Sequence, residues 1–247
     1  MKIPVLKGII KRRFLVNFRI DPEILAQRIP EPFVPKVYNG HAIGGICLIR
    51  LENMLPRGLR IGKGFSSENA AHRFAVEWEK DGEKFSGVYV PRRDTDSVLN
   101  YLAGGRIFSG VTHLAKFDVA LSEDEYRFQM QSKDRKVSIN FVGKKGVPFP
   151  EDSCFKSLED ASKFFEEGSL GYSKTNNAQK YDGIVLNTKE WRVEPFAISE
   201  CHSSFFTDPS IFPQDKIAFD HALIMENIDH QWESSESLCT VKTTASN

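Results

Sequence analysis

The densest set of side chains able to do chemistry lies in the stretch GVYVPRRDTDSVLNYLAGGRIFSGVTHLAKFDV, residues 87–119, which carries Arg92, Arg93, Asp94, Asp96, Arg106 and His113. His113 suits a general acid or base near neutral pH. It reads equally well as a core histidine satisfied by one backbone carbonyl. Upstream, Glu68 shares the parity of Ala70, His72, Phe74, Val76 and Trp78, so an extended strand points both Glu68 and His72 inward. Desolvation raises the pKa of an inward carboxylate unless an arginine compensates, which is how acid–base catalysts are often made. The plainer reading places Glu68 in a turn before the strand. Arg106 could clamp a substrate carboxylate with two parallel hydrogen bonds, or neutralise Glu68 or Asp94. Arg92-Arg93-Asp94 is expected as a polar turn after Pro91. Adjacent side chains diverge on a sheet, so one of the two arginines should face the pocket, and Arg93 is expected in a solvated turn. His72 is expected as a polar wall residue beside Trp78.

Other chemistries find no support. The six histidines are scattered, with no H-x-H or H-x-x-x-H spacing, so no metal site is expected. Ser203-Ser204 lacks the glycine-flanked elbow of a hydrolase nucleophile. There is no G-x-G-x-x-G and no P-loop, and no cofactor is expected.

The elements that must hold these residues follow from periodicity. Arg13 to Ile20 alternates with Phe14, Val16, Phe18 and Ile20 on one face and Arg13, Asn17 and Arg19 on the other, which predicts one buried and one wet face. Asp21-Pro22-Glu23 starts a helix that ends at Pro30-Glu31-Pro32. His41 to Leu51 is apolar on both parities, as in a strand covered on both sides. Asn69 to Lys80 alternates, Asp81-Gly82 turns, and Phe85 to Val90 returns. Asp96 or Ser97 caps a helix through Leu102, and the next strand carries His113, Ala115, Phe117 and Val119 on one side. Tyr126 to Met130 and Val137 to Val142 predict a second hairpin. Ser157 and Asp160 resemble a capping box before an amphipathic helix. Gly171 to Asp182 reads as an exposed loop, and Tyr181 to Leu186 with Trp191 to Ile198 as another strand pair. Phe219 to Ile228 is the last buried strand. The tally of roughly ten strands and three short helices, without a β-α-β rhythm, predicts a mainly β (α+β) fold: an antiparallel β-barrel with short peripheral helices. One domain over residues 1–232 is expected, followed by a disordered tail at 233–247.

The chain has 247 residues, 40% hydrophobic and 27% charged, with 33 basic and 33 acidic side chains balancing to zero net charge. No basic surplus is left for a phosphate backbone, so nucleic acid is a poor partner. Near-zero charge permits a homodimer. Cys47, Cys154, Cys201 and Cys239 are far apart, form no C-x-x-C pair and follow no cleavable signal, so reduced thiols in a cytoplasmic protein are expected. The longest apolar run is too short and glycine-broken to span a bilayer, so no membrane partner is expected.

Two stretches, RRFLVNFRIDPEILAQRIPEPF (Arg12 to Phe33) and GGRIFSGVTHLA (Gly104 to Ala115), resemble the acetoacetate decarboxylase-like superfamily. The chain is most similar to a bacterial branch known only as a domain of unknown function; SSENAAHR, VYVPRRDTDSVLNYLAGG and SSFFTDPSIFPQDKIAFDHALIMENIDHQW carry that likeness. The resemblance implies an interior pocket for a small organic acid or carbonyl ligand. In acetoacetate decarboxylase a lysine forms the Schiff base and a second lysine lowers its pKa, an effect for which that enzyme is itself the standard illustration. Here the lysine pair reads Thr112-His113, and Lys116 has the opposite parity. The expectation is therefore a lyase- or isomerase-like enzyme without Schiff-base chemistry. His113 and Glu68 transfer protons, while Arg106, Arg92, Asp94, His72 and Thr112 hold the substrate. The alternative is a non-catalytic small-ligand-binding protein on the same fold.

Overall fold

The computed structural model describes residues 5–58, 64–102, 110–122, 125–175 and 180–239. In chain order these form β1 (Leu6–Ile20), α1 (Pro22–Ala26), β2 (Val34–Pro35), β3 (Val37–Tyr38), β4 (His41–Pro56), β5 (Phe65–Lys80) and β6 (Glu83–Thr95). There follow α2 (Val98–Leu102), β7 (Thr112–Ser122), β8 (Glu125–Ser132), β9 (Ser138–Lys144), α3 (Leu158–Glu167), β10 (Leu170–Lys174), β11 (Lys180–Thr188), β12 (Glu194–Ser203) and β13 (Ile217–Cys239).

Local chemistry sets several of these boundaries. The Asp21 side chain accepts from Glu23 N at 2.9 Å, with Pro22 opening α1. Ser157 Oγ accepts from Asp160 N at 3.1 Å and caps α3. Ser97 Oγ accepts from Asn100 N at 3.2 Å and caps α2. Asp81 and Gly82 both adopt positive φ, 54° and 80°, the pair that a tight hairpin between β5 and β6 requires.

The strands form one sheet in the order β11-β10-β6-β7-β8-β9-β12-β13-β1-β4-β5-β2, with β3 paired to β4. Additional β6–β5 and β11–β13 pairings close that path on itself. Most pairs are antiparallel, but β6–β7 and β6–β10 are parallel, so the expected purely antiparallel arrangement is corrected to a mixed sheet. Both parallel contacts fall on the edge of β6 opposite β5, β10 at Val88 and Tyr89 and β7 at Arg93 to Thr95.

Further expectations are corrected. Pro91 does not end its strand: β6 continues to Thr95, with the register against β5 shifting between His72 and Phe74, opposite Pro91. A bulge absorbs the residue that cannot donate, and Arg92-Arg93-Asp94 are strand residues rather than a turn. The last strand runs to Cys239, where β13 meets β11, so residues 233–239 are ordered by pairing rather than by apolar content. The predicted β11–β12 pair does not form; β11 lies between β10 and β13, and residues 170–174 are strand rather than loop.

The core has two layers, one on each side of β1, β4 and β5. Phe14, Val16, Ile46, Leu48, Phe74 and Trp78 face the first, with Phe128 and Phe141 stacked at 5.1 Å. Leu15, Ile43, Cys47, Ile49, Leu223 and Met225 face the second, which α3 covers with Ala161, Phe164 and Phe165. The face of β1 expected to be wet is therefore largely covered: Asn17 is buried and Arg13 and Arg19 are half-buried. Among the described residues, no helix is long and apolar enough to cross a membrane.

Candidate functional site

One row of residues crosses five strands in register: Leu15 opposite Cys47, Cys47 opposite Ala71, Ala71 opposite Arg93, and Arg93 opposite Thr112. Directly opposed residues point to the same face, here that of the second layer. The small side chains of Cys47 and Ala71 leave space there. A cavity of about 50 Å³ results, lined by Cys47, Ile49, Asn69, Ala71, Arg93, Asn100 and Thr112, with Trp232 of β13 on its wall. That exceeds the roughly 30 Å³ share of one water and suits a very small molecule. Asn69 is held by Ser67 Oγ at 2.9 Å and accepts from Thr95 Oγ1 at 2.8 Å. Asn100 is buried, donates to Ser67 Oγ at 3.4 Å, and its Oδ1 has no partner among the described residues. Burial pushes the Arg93 guanidinium down to about 10.

Two more arginines flank Cys47. Arg13 Nε donates to Cys47 Sγ at 3.1 Å, and its guanidinium lies 5.6 Å from the Trp191 ring centre. Arg73 sits over the Phe165 ring at 4.8 Å and donates from Nη2 to Asn17 Oδ1 at 2.6 Å. Only 4% of Arg73 is exposed, and burial pushes it down to about 10. The Asn17–Arg73 bond passes over Gly45, which is in register with both residues. A Cβ on Gly45 would lie 2.5 Å from Val16 O and 3.0 Å from Asn17 Oδ1, so only glycine leaves the path open.

Behind Asn17 the polar chain continues into the core. Asn17 Nδ2 donates to Leu15 O and lies 3.1 Å from His221 Nε2, and His221 Nδ1 lies 2.6 Å from Asp220 Oδ2. One proton assignment satisfies every member: His221 neutral with its proton on Nδ1 facing Asp220, Nε2 accepting from Asn17, and Asn17 Oδ1 accepting from Arg73. Burial holds His221 below its usual range, against the pull of Asp220. Burial would raise Asp220, but hydrogen bonds from His221, Ser153 Oγ and Cys154 N outweigh it and hold its carboxyl well below the ordinary value.

The residues singled out from the sequence divide between two faces. Thr112 and Asp94 line the cavity, although the Asp94 carboxylate is turned to Arg92. Arg92, Asp94 and His113 meet on the opposite face. There Arg92 holds Asp94 through Nε and Nη2 at 2.9 and 2.8 Å and reaches Asp134 at 3.1 Å, while His113 Nδ1 stands 3.5 Å from Asp134. The His113 side chain is 37% exposed, so it is not the inward group that alternation suggested. Glu68 is buried and takes two contacts from Arg12 Nη2, at 2.9 and 2.8 Å. Burial raises its pKa against the pull of Arg12. Among the described residues no contact joins Glu68 to His113; Glu68 pairs with Arg12, while His113 stands beside Asp134. His72 is wholly buried against Phe205 and Phe206 rather than beside Trp78, with ring centres at 4.6 and 5.9 Å. Burial pushes it down to about 3. Arg106 lies outside the described residues. Of the two adjacent arginines, Arg93 faces the cavity and Arg92 does not, which corrects the expectation of Arg93 in a solvated turn and of Arg92 at the pocket. Arg13, Asn17, Cys47, Arg73, Asp220 and His221 went unrecognised in the sequence. Their one signal was polar parity on strands that proved to be covered on both faces.

The family model described as DUF2071, an uncharacterized conserved protein, matches residues 10–224. The chain belongs to this family. Solved structures share its fold. Acetoacetate decarboxylase from Legionella pneumophila is 14% identical with a TM-score of 0.60, over 98% of this chain and 89% of that one. An acetoacetate decarboxylase-like enzyme from Sphingomonas wittichii RW1 is 9% identical with a TM-score of 0.56, over 98% and 94%. The enduracididine biosynthesis enzyme MppR, complexed with pyruvate, is 9% identical with a TM-score of 0.54, over 96% and 90%. None of the curated proteins matches the chain.

Proposed function

We propose that this family member is a small-molecule pocket protein that binds a small organic acid or carbonyl compound in the cavity between β4, β5, β6 and β7, without a Schiff base. The observation that carries this is the lining itself. A guanidinium (Arg93), a hydroxyl (Thr112), two carboxamides (Asn69 and Asn100) and a thiol (Cys47) converge there beside Asp94, whose carboxylate is taken up by Arg92, and no lysine is among them. A mostly apolar wall with a few convergent polar groups is the usual make-up of a ligand site. The fold shared with a decarboxylase and with a protein crystallised with pyruvate supports an organic acid of that size. Titration calorimetry with short 2-oxo acids tests the binding. Borohydride treatment in their presence should trap no adduct.

A second reading adds catalysis of the lyase or isomerase type. The observation favouring it is His113, a half-exposed imidazole next in sequence to the cavity residue Thr112 and beside the Asp134–Arg92–Asp94 cluster. Solvent deuterium entering the α-carbon of a bound 2-oxo acid, and lost in His113→Ala, supports turnover. Binding without exchange leaves a non-catalytic binding protein on the same fold.

A further inference from the structure

The geometry points to a carboxylate-binding site between Arg13 and Arg73, beside the cavity and bordered by Cys47. It rests on the proposed pocket and names the charge of its ligand: an organic acid whose carboxylate sits between these two guanidinium groups and whose remainder enters the cavity toward Arg93.

Three observations carry this. First, neither Arg13 nor Arg73 has a carboxylate partner among the described residues. Arg13 donates to two sulfurs, Cys47 Sγ at 3.1 Å and Met225 Sδ at 3.9 Å, and Arg73 to a single amide oxygen. Charges taken out of water are normally paired. Second, Arg73 is nine-tenths buried and its Nε has no acceptor, so a donor of a two-pronged fork is unused. Third, the two arginines line a second cavity of about 30 Å³ beneath Phe164 and Phe165 of α3. The other cation there, Lys36, is paired with Glu167 at 3.2 Å. Cys47 lines the first cavity and accepts from Arg13, which lines the second, so a single side-chain contact separates the two spaces. Asn17, His221 and Asp220 hold Arg73 from behind without neutralising it, because the group that touches Arg73 is an uncharged carboxamide.

The test uses the full-length protein and matched pairs of probes. Calorimetry compares pyruvate with pyruvamide, and acetate with acetamide, with inorganic phosphate and chloride as separate titrants. At least tenfold tighter binding of each acid over its amide, lost in Arg73→Gln while amide binding is retained, supports the site. If amides bind as tightly as acids, the pocket stands and the carboxylate site falls. If neither acid nor amide binds, the pocket reading itself fails. Phosphate or chloride binding as tightly as the acids marks a plain inorganic-anion site and overturns the assignment. Alkylation of wild-type protein gives a readout independent of variant folding. Ordinary thiols react faster with iodoacetamide than with iodoacetate, and exposed Cys239 serves as the internal reference. Cys47 should show an iodoacetate-to-iodoacetamide rate ratio at least fivefold above that of Cys239, and acetate should protect it. Equal ratios overturn the proposal.

Discussion

Replacing Arg73 by methionine separates a functional charge from a structural one. Burial pushes this guanidinium from 12.5 down to about 10. At about 1.36 kcal/mol per pH unit, that is a native-state penalty of about 3 kcal/mol. The sign is that of a base depressed by folding: the penalty is fully present at neutral pH and is relieved only above about pH 10. Methionine keeps much of the apolar stem and removes the charge. Against that gain, Asn17 Oδ1 loses its donor, at about 1–2 kcal/mol, and the contact over Phe165 loses about 1 kcal/mol. The expected net effect lies between neutral and about 1 kcal/mol of stabilisation, which is about 2–4 °C in Tm at most for a chain of this size. Calorimetric melting with and without pyruvate is the assay. At a hundredfold excess over Kd, the ligand should add about 2.7 kcal/mol, or roughly 5–11 °C, to the wild type and almost nothing to the variant. A variant that loses 3 kcal/mol or more while keeping the ligand shift would refute the reasoning, because Arg73 would then be one half of a structural pair.

Other outcomes follow from the same geometry. His72 and His230 are buried and held at about 3 and about 4, below the unfolded value near 6.5, so the unfolded chain binds more protons below pH 7. Each should cost about 2 kcal/mol of stability between pH 7 and pH 5; a flat urea-unfolding profile across that window would contradict this. Glu68→Ala strands a buried Arg12 guanidinium and should cost about 3–5 kcal/mol with ligand affinity unchanged. The reverse pattern in calorimetry and melting would return Glu68 to the site. His113→Ala should change stability by less than about 1 kcal/mol, since the pair with Asp134 is half-exposed, and should abolish any isotope exchange that NMR detects. Gly45→Ala should lower Tm and weaken acid binding together, because its Cβ meets Val16 O and crowds Asn17 off Arg73.

Much of the framework was legible without coordinates because it depends on contacts close in sequence. The Asp81-Gly82 turn, the Asp21-Pro22 and Ser157 caps, and the alternation of β1, β5, β8 and β9 each follow from backbone preferences of a few neighbouring residues. The motif order that resembles a decarboxylase-like branch agrees with the family match over residues 10–224. The site was less legible. Alternation separates two faces of a strand but does not say whether a polar face is wet. Arg13 and Asn17 read as members of a wet face until α3 and Trp191 were placed on it. Likewise Glu68 has the inward parity expected of it, yet Arg12, 56 residues away in sequence, already occupies its carboxylate.

Tertiary structure also decided between adjacent residues. The bulge opposite Pro91 keeps Arg92-Arg93-Asp94 in the sheet, and the pleat then sends Arg93 to the cavity and Arg92 to Asp94 and Asp134. By itself the sequence determined most of the strands, the Asp81-Gly82 turn, the helix caps and the family they compose, since those depend on local sterics and hydrophobic period. Which charges would be stranded in the interior without a counter-ion depends on residues brought together from β1, β4, β5 and α3, and only the closed sheet fixed that.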